Sequence, residues 1–146
     1  MSASNAFETE LMNLLFLNDA IALIGDASGL QPSAAAGSLY LSLHTGDPGE
    51  AGDQTTSECA YTSYARVAVA RTGAAWTVTG PTAANDAPIT WPAATGGSET
   101  ATYFGIGSSI SGEGLLLFSG VLTESLAISS GITPEAAISG ITVTAD

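Results

Sequence analysis

The sequence predicts a mainly β chain: a single antiparallel β-sandwich or jelly roll of about eight short strands, with one N-terminal helix. Three observations carry that expectation. Apolar residues recur at helical spacing only near the N-terminus, around Phe7 to Leu17. From Ser38 onward they alternate with polar residues in short runs divided by Gly, Pro, Asn and Ser. Ala, Gly, Ser and Thr make up more than half of the 146 residues, which suits thin, closely packed strands better than a polar catalytic cleft.

Taken in order, Asn5 followed three residues on by Glu8 reads as a helix cap, the amide oxygen accepting an orphan N–H while the carboxylate favours the dipole. Phe7, Leu11, Leu14 and Leu15 then form an apolar face, which Met12, Phe16 and Leu17 widen. A helix apolar on most sides must dock on a sheet or a neighbouring subunit, so Phe7, Leu11, Leu14 and Leu15 are interface candidates. Residues 20–24 read as a short helical or irregular piece, and 25–37 as a loop with Gly29, Pro32 and an Ala run. The chain thus divides into a helix and connecting loop over 1–37, serving as an anchor, and a β-sandwich domain over 38–146. In that domain Leu39, Leu41 and Leu43 point one way and Tyr40, Ser42 and His44 the other, the pattern of a half-buried strand. Further strands are expected over 64–71, 75–79, 88–91, 102–107, 115–121, 126–129 and 138–144.

Charge narrows the partners. Arg66 and Arg71 stand against fourteen Asp and Glu, and a net charge of −12 repels phosphate backbones and anionic lipid heads. No direct nucleic-acid partner and no membrane partner is expected. The apolar run near the N-terminus is interrupted by Asn18 and Asp19 and lacks the basic flank of a secretory signal, so synthesis in the cytoplasm is expected. Charged residues are only 11% of the chain while mean hydropathy is positive. A surface so poorly supplied with solubilising groups implies cover by other subunits, hence a homo-oligomer or a larger assembly.

The segment "LHTGDPGEAG" holds the single histidine and two carboxylates, Asp47 and Glu50. A general-base role for His44 needs a positioned nucleophile and an orienting acid, and no G-x-S-x-G motif occurs. His44 is read as a surface or interface residue on the polar face of its strand, so His44→Ala is expected to leave function nearly intact. Calcium is the alternative for Asp47, Glu50 and Asp53, with Gln54 and Glu58 as further oxygen ligands from the same loop, but the spacing does not match a D-x-[DN]-x-[DN]-G loop, and Asp47-Pro48-Gly49 is turn chemistry. Cys59 reads as a small buried filler, and "GSSISGEG" over 107–114 as a hairpin connection rather than a phosphate loop. Trp76, Trp91, Tyr103 and Phe104 read as sheet core in preference to a sugar-binding platform. Arg66, in a strand of Tyr, Ala and Val, is expected in a structural or intersubunit ion pair, so Arg66→Ala should lower stability or assembly. No catalytic residue, resident metal or cofactor is expected.

The order of motifs adds a resemblance. "LYLSLHTGDPGEAG", "YTSYARVAVAR", "ITWPAAT", "ATYFGIGSS" and "LLLFSGVLT", closing on "ISGITVTAD", resemble a widespread family of small proteins encoded among the structural genes of tailed bacteriophages. That pattern commonly has Ala where Gly46 stands here, Gly where Ser63 precedes the tyrosine, and Phe where Trp91 stands. The resemblance implies a virion structural protein and not an enzyme. Members are often labelled tail fibre proteins, although this chain has no fibrous repeat. The first expectation is a capsid decoration, or cement, protein on the outer shell, whose partners are the major capsid protein or copies of itself. The second is a tail, baseplate or fibre-attachment component. A third, a host-surface glycan-binding adhesin, requires Trp76 or Trp91 in an exposed groove.

Overall fold

The computed structural model describes residues 2–145 and is mainly β, with antiparallel sheets behind an N-terminal helix. Helix α1 (Asn5–Met12) runs into a single π-type turn (Asn13–Leu17) that ends at Asn18 in the left-handed conformation. Ser4, rather than Asn5, is the cap. Its Oγ accepts the Phe7 N–H, and the Glu8 N–H already donates to the Ser4 carbonyl, so Asn5 lies inside the first turn. Nine strands follow among the described residues: β1 (Ser38–His44), β2 (Val67–Ala70), β3 (Trp76–Thr79), β4 (Thr82–Asn85), β5 (Ile89–Thr90), β6 (Ser98–Gly107), β7 (Leu116–Ser129), β8 (Glu135–Ala136) and β9 (Thr142–Thr144).

The main sheet has the order β2-β1-β6-β7, with β3-β4-β9 and β5-β8 as smaller antiparallel sheets. Several sequence expectations shift: β6 begins before the expected 102–107, β9 covers only the end of the expected 138–144, β8 was not expected, and three further shifts have a local reason. The strand expected over 64–71 begins only at Val67, because Tyr64 and Arg66 leave the ladder to bind a carboxylate. The runs 115–121 and 126–129 are one strand, β7. Between its pairings Tyr103↔Val121 and Ala101↔Leu126, β7 advances further than β6, so the extra residues bulge out and break the alternation. Strand β4, "TAAN", was not expected, because alanine and asparagine have little β preference; it pairs with β3 across the two-residue Gly80-Pro81 turn.

Leu39, Leu41 and Leu43 are buried, as their alternation requires. They join one apolar cluster that also takes Trp76, Trp91, Phe104 and Ile106, together with Met12 and Phe16 from the N-terminal segment. The Phe16 ring meets Trp76 edge-on at 4.7 Å and stacks on Phe118 at 5.9 Å. Met12 and Phe16 are one helical turn apart and form the inward face, whereas Leu11, Leu14 and Leu15 are half-buried and Phe7 is exposed. The segment before β1 is therefore sewn into the core of the sandwich. Arg71 secures it from the end of β2. Its guanidinium donates to the Leu14 and Leu15 carbonyls at the close of the π-type turn, and to Ser33 Oγ and the Ala36 carbonyl in the following loop. Asn18 adds a reciprocal pair of hydrogen bonds to the Ser33 backbone, each 3.0 Å.

Candidate functional site

The motifs that stand apart in the sequence meet on one face of the main sheet. His44 ends β1 and is fully buried, as are Ser42 and Gln54. This corrects the expectation of a surface histidine: the outer face of β1 is polar but is roofed by the loop over 45–58. The His44 Nδ1 lies 2.8 Å from the Thr56 carbonyl, which can only accept, so that nitrogen carries the proton. Nε2 then accepts from Ser42 Oγ at 2.8 Å. Gly105, opposite Ser42, leaves the room: a Cβ there would collide with the imidazole and the Ser42 hydroxyl.

Glu58 is the second centre. Its Oε1 accepts from Arg66 Nε at 2.7 Å and from the Tyr64 hydroxyl at 2.9 Å, and its Oε2 from Arg66 Nη2 at 2.8 Å. The two-pronged pair is almost wholly enclosed. The remaining Arg66 donors reach the Ser109 and Gly112 carbonyls in the β6–β7 hairpin loop, at 2.9 and 2.7 Å. Gln54 binds the same loop, accepting from the Ser109 N–H and donating to the Ser109 carbonyl. Its side chain fills the space above Gly107 and beside Gly114, where any Cβ would clash. Thus the "FGIG" stretch is open at alternate positions because a histidine and a glutamine lie across it.

The electrostatics follow from enclosure. Burial lowers the His44 pKa below its ordinary 6.5, outweighing the Thr56 carbonyl that favours the charged form. The Glu58 carboxylate raises the Arg66 pKa still further. Burial likewise raises that of the Tyr64 hydroxyl and pushes the Cys59 thiol up to about 12, so Cys59 is an unreactive filler at neutral pH. Ser42 and His44 have the atoms of a nucleophile–base pair, but both are closed to solvent. The arrangement holds two loops to a sheet.

The other sequence candidates are dispersed. Asp47 Oδ1 closes a turn on the Gly49 N–H, and Asp53 Oδ1 takes the Thr55 N–H and hydroxyl, bonds that hold the Asp53 pKa below its ordinary value. Glu50 is exposed, and among the described residues no three His, Cys, Asp or Glu gather as metal ligands. Arg66 makes its ion pair inside the chain rather than towards a neighbour. Trp76 and Trp91 are core residues, the latter donating to the Leu41 carbonyl, so neither offers a sugar platform. Sequence reasoning offered Gln54 and Glu58 only as calcium oxygen ligands and gave Arg71 no role; a buried glutamine has no pattern of its own, and Arg71 was separable from Arg66 only by contacts distant in sequence.

One surface feature lies beside this cluster. A groove of about 540 Å³ runs between the turn bearing Asp47 and Glu50 and residues 116–121 of β7. Tyr103 of β6, the partner of Val121, lines it too, so the groove opens on the sheet face over β6 and reaches the backbone of β7, whose far side is the outer edge of the sheet. That edge has no strand beyond it among the described residues.

A family model described as podophage GP4 fiber I protein gp80 matches residues 2–144. The chain belongs to this family. Membership in the podophage fiber I family makes it a phage virion structural protein, and the match takes in the N-terminal segment as well as the sandwich. Among curated proteins nothing matches the chain. Within this member of the fiber I family, two departures noted in the sequence have a geometric meaning. Ser63 has φ +81°, a backbone conformation that suits the glycine expected there. Gly46 has ordinary φ, and a Cβ on it would meet only Ser57 Oγ at 3.9 Å, so alanine fits.

Proposed function

We propose that the chain is a non-catalytic building block of the virion exterior, mounted at the tail or at a fibre attachment, without cofactor or metal. The observation supporting this is the combination of a roof locked down by buried polar bonds and a long β-edge left uncovered beside it. Rigid loops next to an open edge suit a part that must present one fixed docking surface. The fibre description of the family supports the same reading.

A second reading, capsid decoration with the major capsid protein or further copies of this chain as partners, is favoured by the charge. A net charge of −12 suits the outside of a shell and opposes contact with packaged DNA. Copies per purified particle, measured by quantitative mass spectrometry against the major capsid protein, separate the two. A closed ring at the tail gives about three to a dozen copies. Hundreds of copies would replace the tail reading with decoration, and none would remove both.

A further inference from the structure

We infer that the outer edge of β7 over residues 116–121 is the docking site for an extended, lysine- or arginine-bearing segment of a different protein, added as a further β-strand. Between Glu113 and Glu124 the strand carries neither a charge nor a proline, the devices that ordinarily keep a free edge from pairing. Val121 is 67% exposed and Leu115, just before the strand, is 63% exposed. Six strand residues make an edge about 20 Å long, enough for a ladder of backbone hydrogen bonds to an incoming segment. The groove beside this strand, with Tyr103 of β6 in its lining, is walled on its other side by the turn bearing Asp47 and Glu50.

Charge identifies the occupant. A second copy of this chain would bring fourteen acids and two arginines, and both arginines are engaged internally, Arg66 by Glu58 and Arg71 by the carbonyls near Leu15. Two such edges would meet with carboxylates on both sides and no cation between them. A segment alternating apolar with basic residues satisfies the ladder, the exposed side chains of Leu115 and Val121 and the two carboxylates together. The proposal rests on the virion reading only for where the partner is found.

The test places the photo-crosslinker p-benzoylphenylalanine at Val121 of the full chain, and the crosslinked peptides of purified particles are sequenced. Crosslinks to one segment of another virion protein, with Lys or Arg at alternate positions, are expected. Crosslinks to the chain itself, to a segment without basic residues, or to nothing although the chain is in the particle would overturn the inference. If the chain is absent from particles, the virion reading falls and the edge is tested alone. The isolated chain is then titrated with a short peptide alternating valine and lysine, and with its glutamate counterpart. The lysine peptide should bind at least about tenfold tighter, and Asp47→Asn with Glu50→Gln should remove about tenfold of its affinity. Asparagine can still close the Gly49 turn, so the loop is retained. Equal affinities for the two peptides, or no effect of the double variant, would refute the edge proposal.

Discussion

At the scale of single residues, His44 and Ser63 give the sharpest consequences. Because burial lowers the His44 pKa below 6.5, the unfolded chain takes up the proton first. His44 therefore contributes stability that is complete above its unfolded pKa and is lost as pH falls from there towards the folded value. Urea unfolding between pH 7.5 and 5 should show falling stability, and His44→Gln should flatten that slope; an unchanged slope would mean that the imidazole is not enclosed. His44→Ala, silent on the sequence reading, should cost about 2–3 kcal/mol, since it opens a cavity and unpairs Ser42 and the Thr56 carbonyl. Ser63→Gly should add up to about 1 kcal/mol by relieving its positive φ, less the exposed bond to Thr95, and Gly46→Ala up to about the same by reducing unfolded-chain freedom. Melting temperatures check both. The alternation of β1 was legible, and it assigned Leu39, Leu41 and Leu43 correctly to the core. What it could not reveal is that the polar face is roofed by a loop closing through Thr56 and Glu58, since period 2 separates the two faces without saying what covers either.

At the scale of elements, the two arginines divide the work. Arg66 joins the loop carrying Glu58 to the β6–β7 hairpin, and Arg71 joins β2 to the N-terminal segment. Removing Arg66 leaves an enclosed carboxylate unpaired, so Arg66→Ala should cost about 3–5 kcal/mol, and Arg66→Lys should recover only part, because an ammonium cannot span both Glu58 oxygens. Arg71→Ala should act differently. Its partners are carbonyls at a helical end, so hydrogen exchange should quicken over residues 5–17 and 30–37 while β1, β6 and β7 stay protected. Uniform quickening across the sheet would show instead that the N-terminal segment and the sandwich open as one unit. The N-terminal helix itself was legible from Phe7 to Leu17, but its inward face was not. Met12 and Phe16 point to the core and Leu11, Leu14 and Leu15 only half do, a choice set by Trp76 and Phe118, which arrive from far along the chain. The single strand β7 was read as two because its bulge breaks the alternation that marks a strand.

At the scale of the whole molecule, charge and fold act against one another. The composition correctly indicated a mainly β chain, but it could not indicate that both cations would be used inside. Among the described residues the Arg66–Glu58 pair is the one salt bridge, so no other described carboxylate has a cationic side chain against it, and the net charge of −12 goes largely uncompensated. Such self-repulsion destabilises the folded form and is screened by salt, whereas the enclosed pair is screened far less. Raising sodium chloride from about 0.01 M to about 1 M shortens the Debye length from about 30 Å to about 3 Å. The isolated chain should gain about 1 kcal/mol or more, a rise in Tm of about 3 °C or more for this length. A fall in Tm with salt would mean that exposed carboxylates are not the dominant field and that the attraction between Arg66 and Glu58 is open to solvent. The same repulsion is relieved when a cationic partner lies along Asp47 and Glu50. The increment from salt should therefore shrink once the β7 edge is occupied, which links the stability of the free chain to the contact proposed for it.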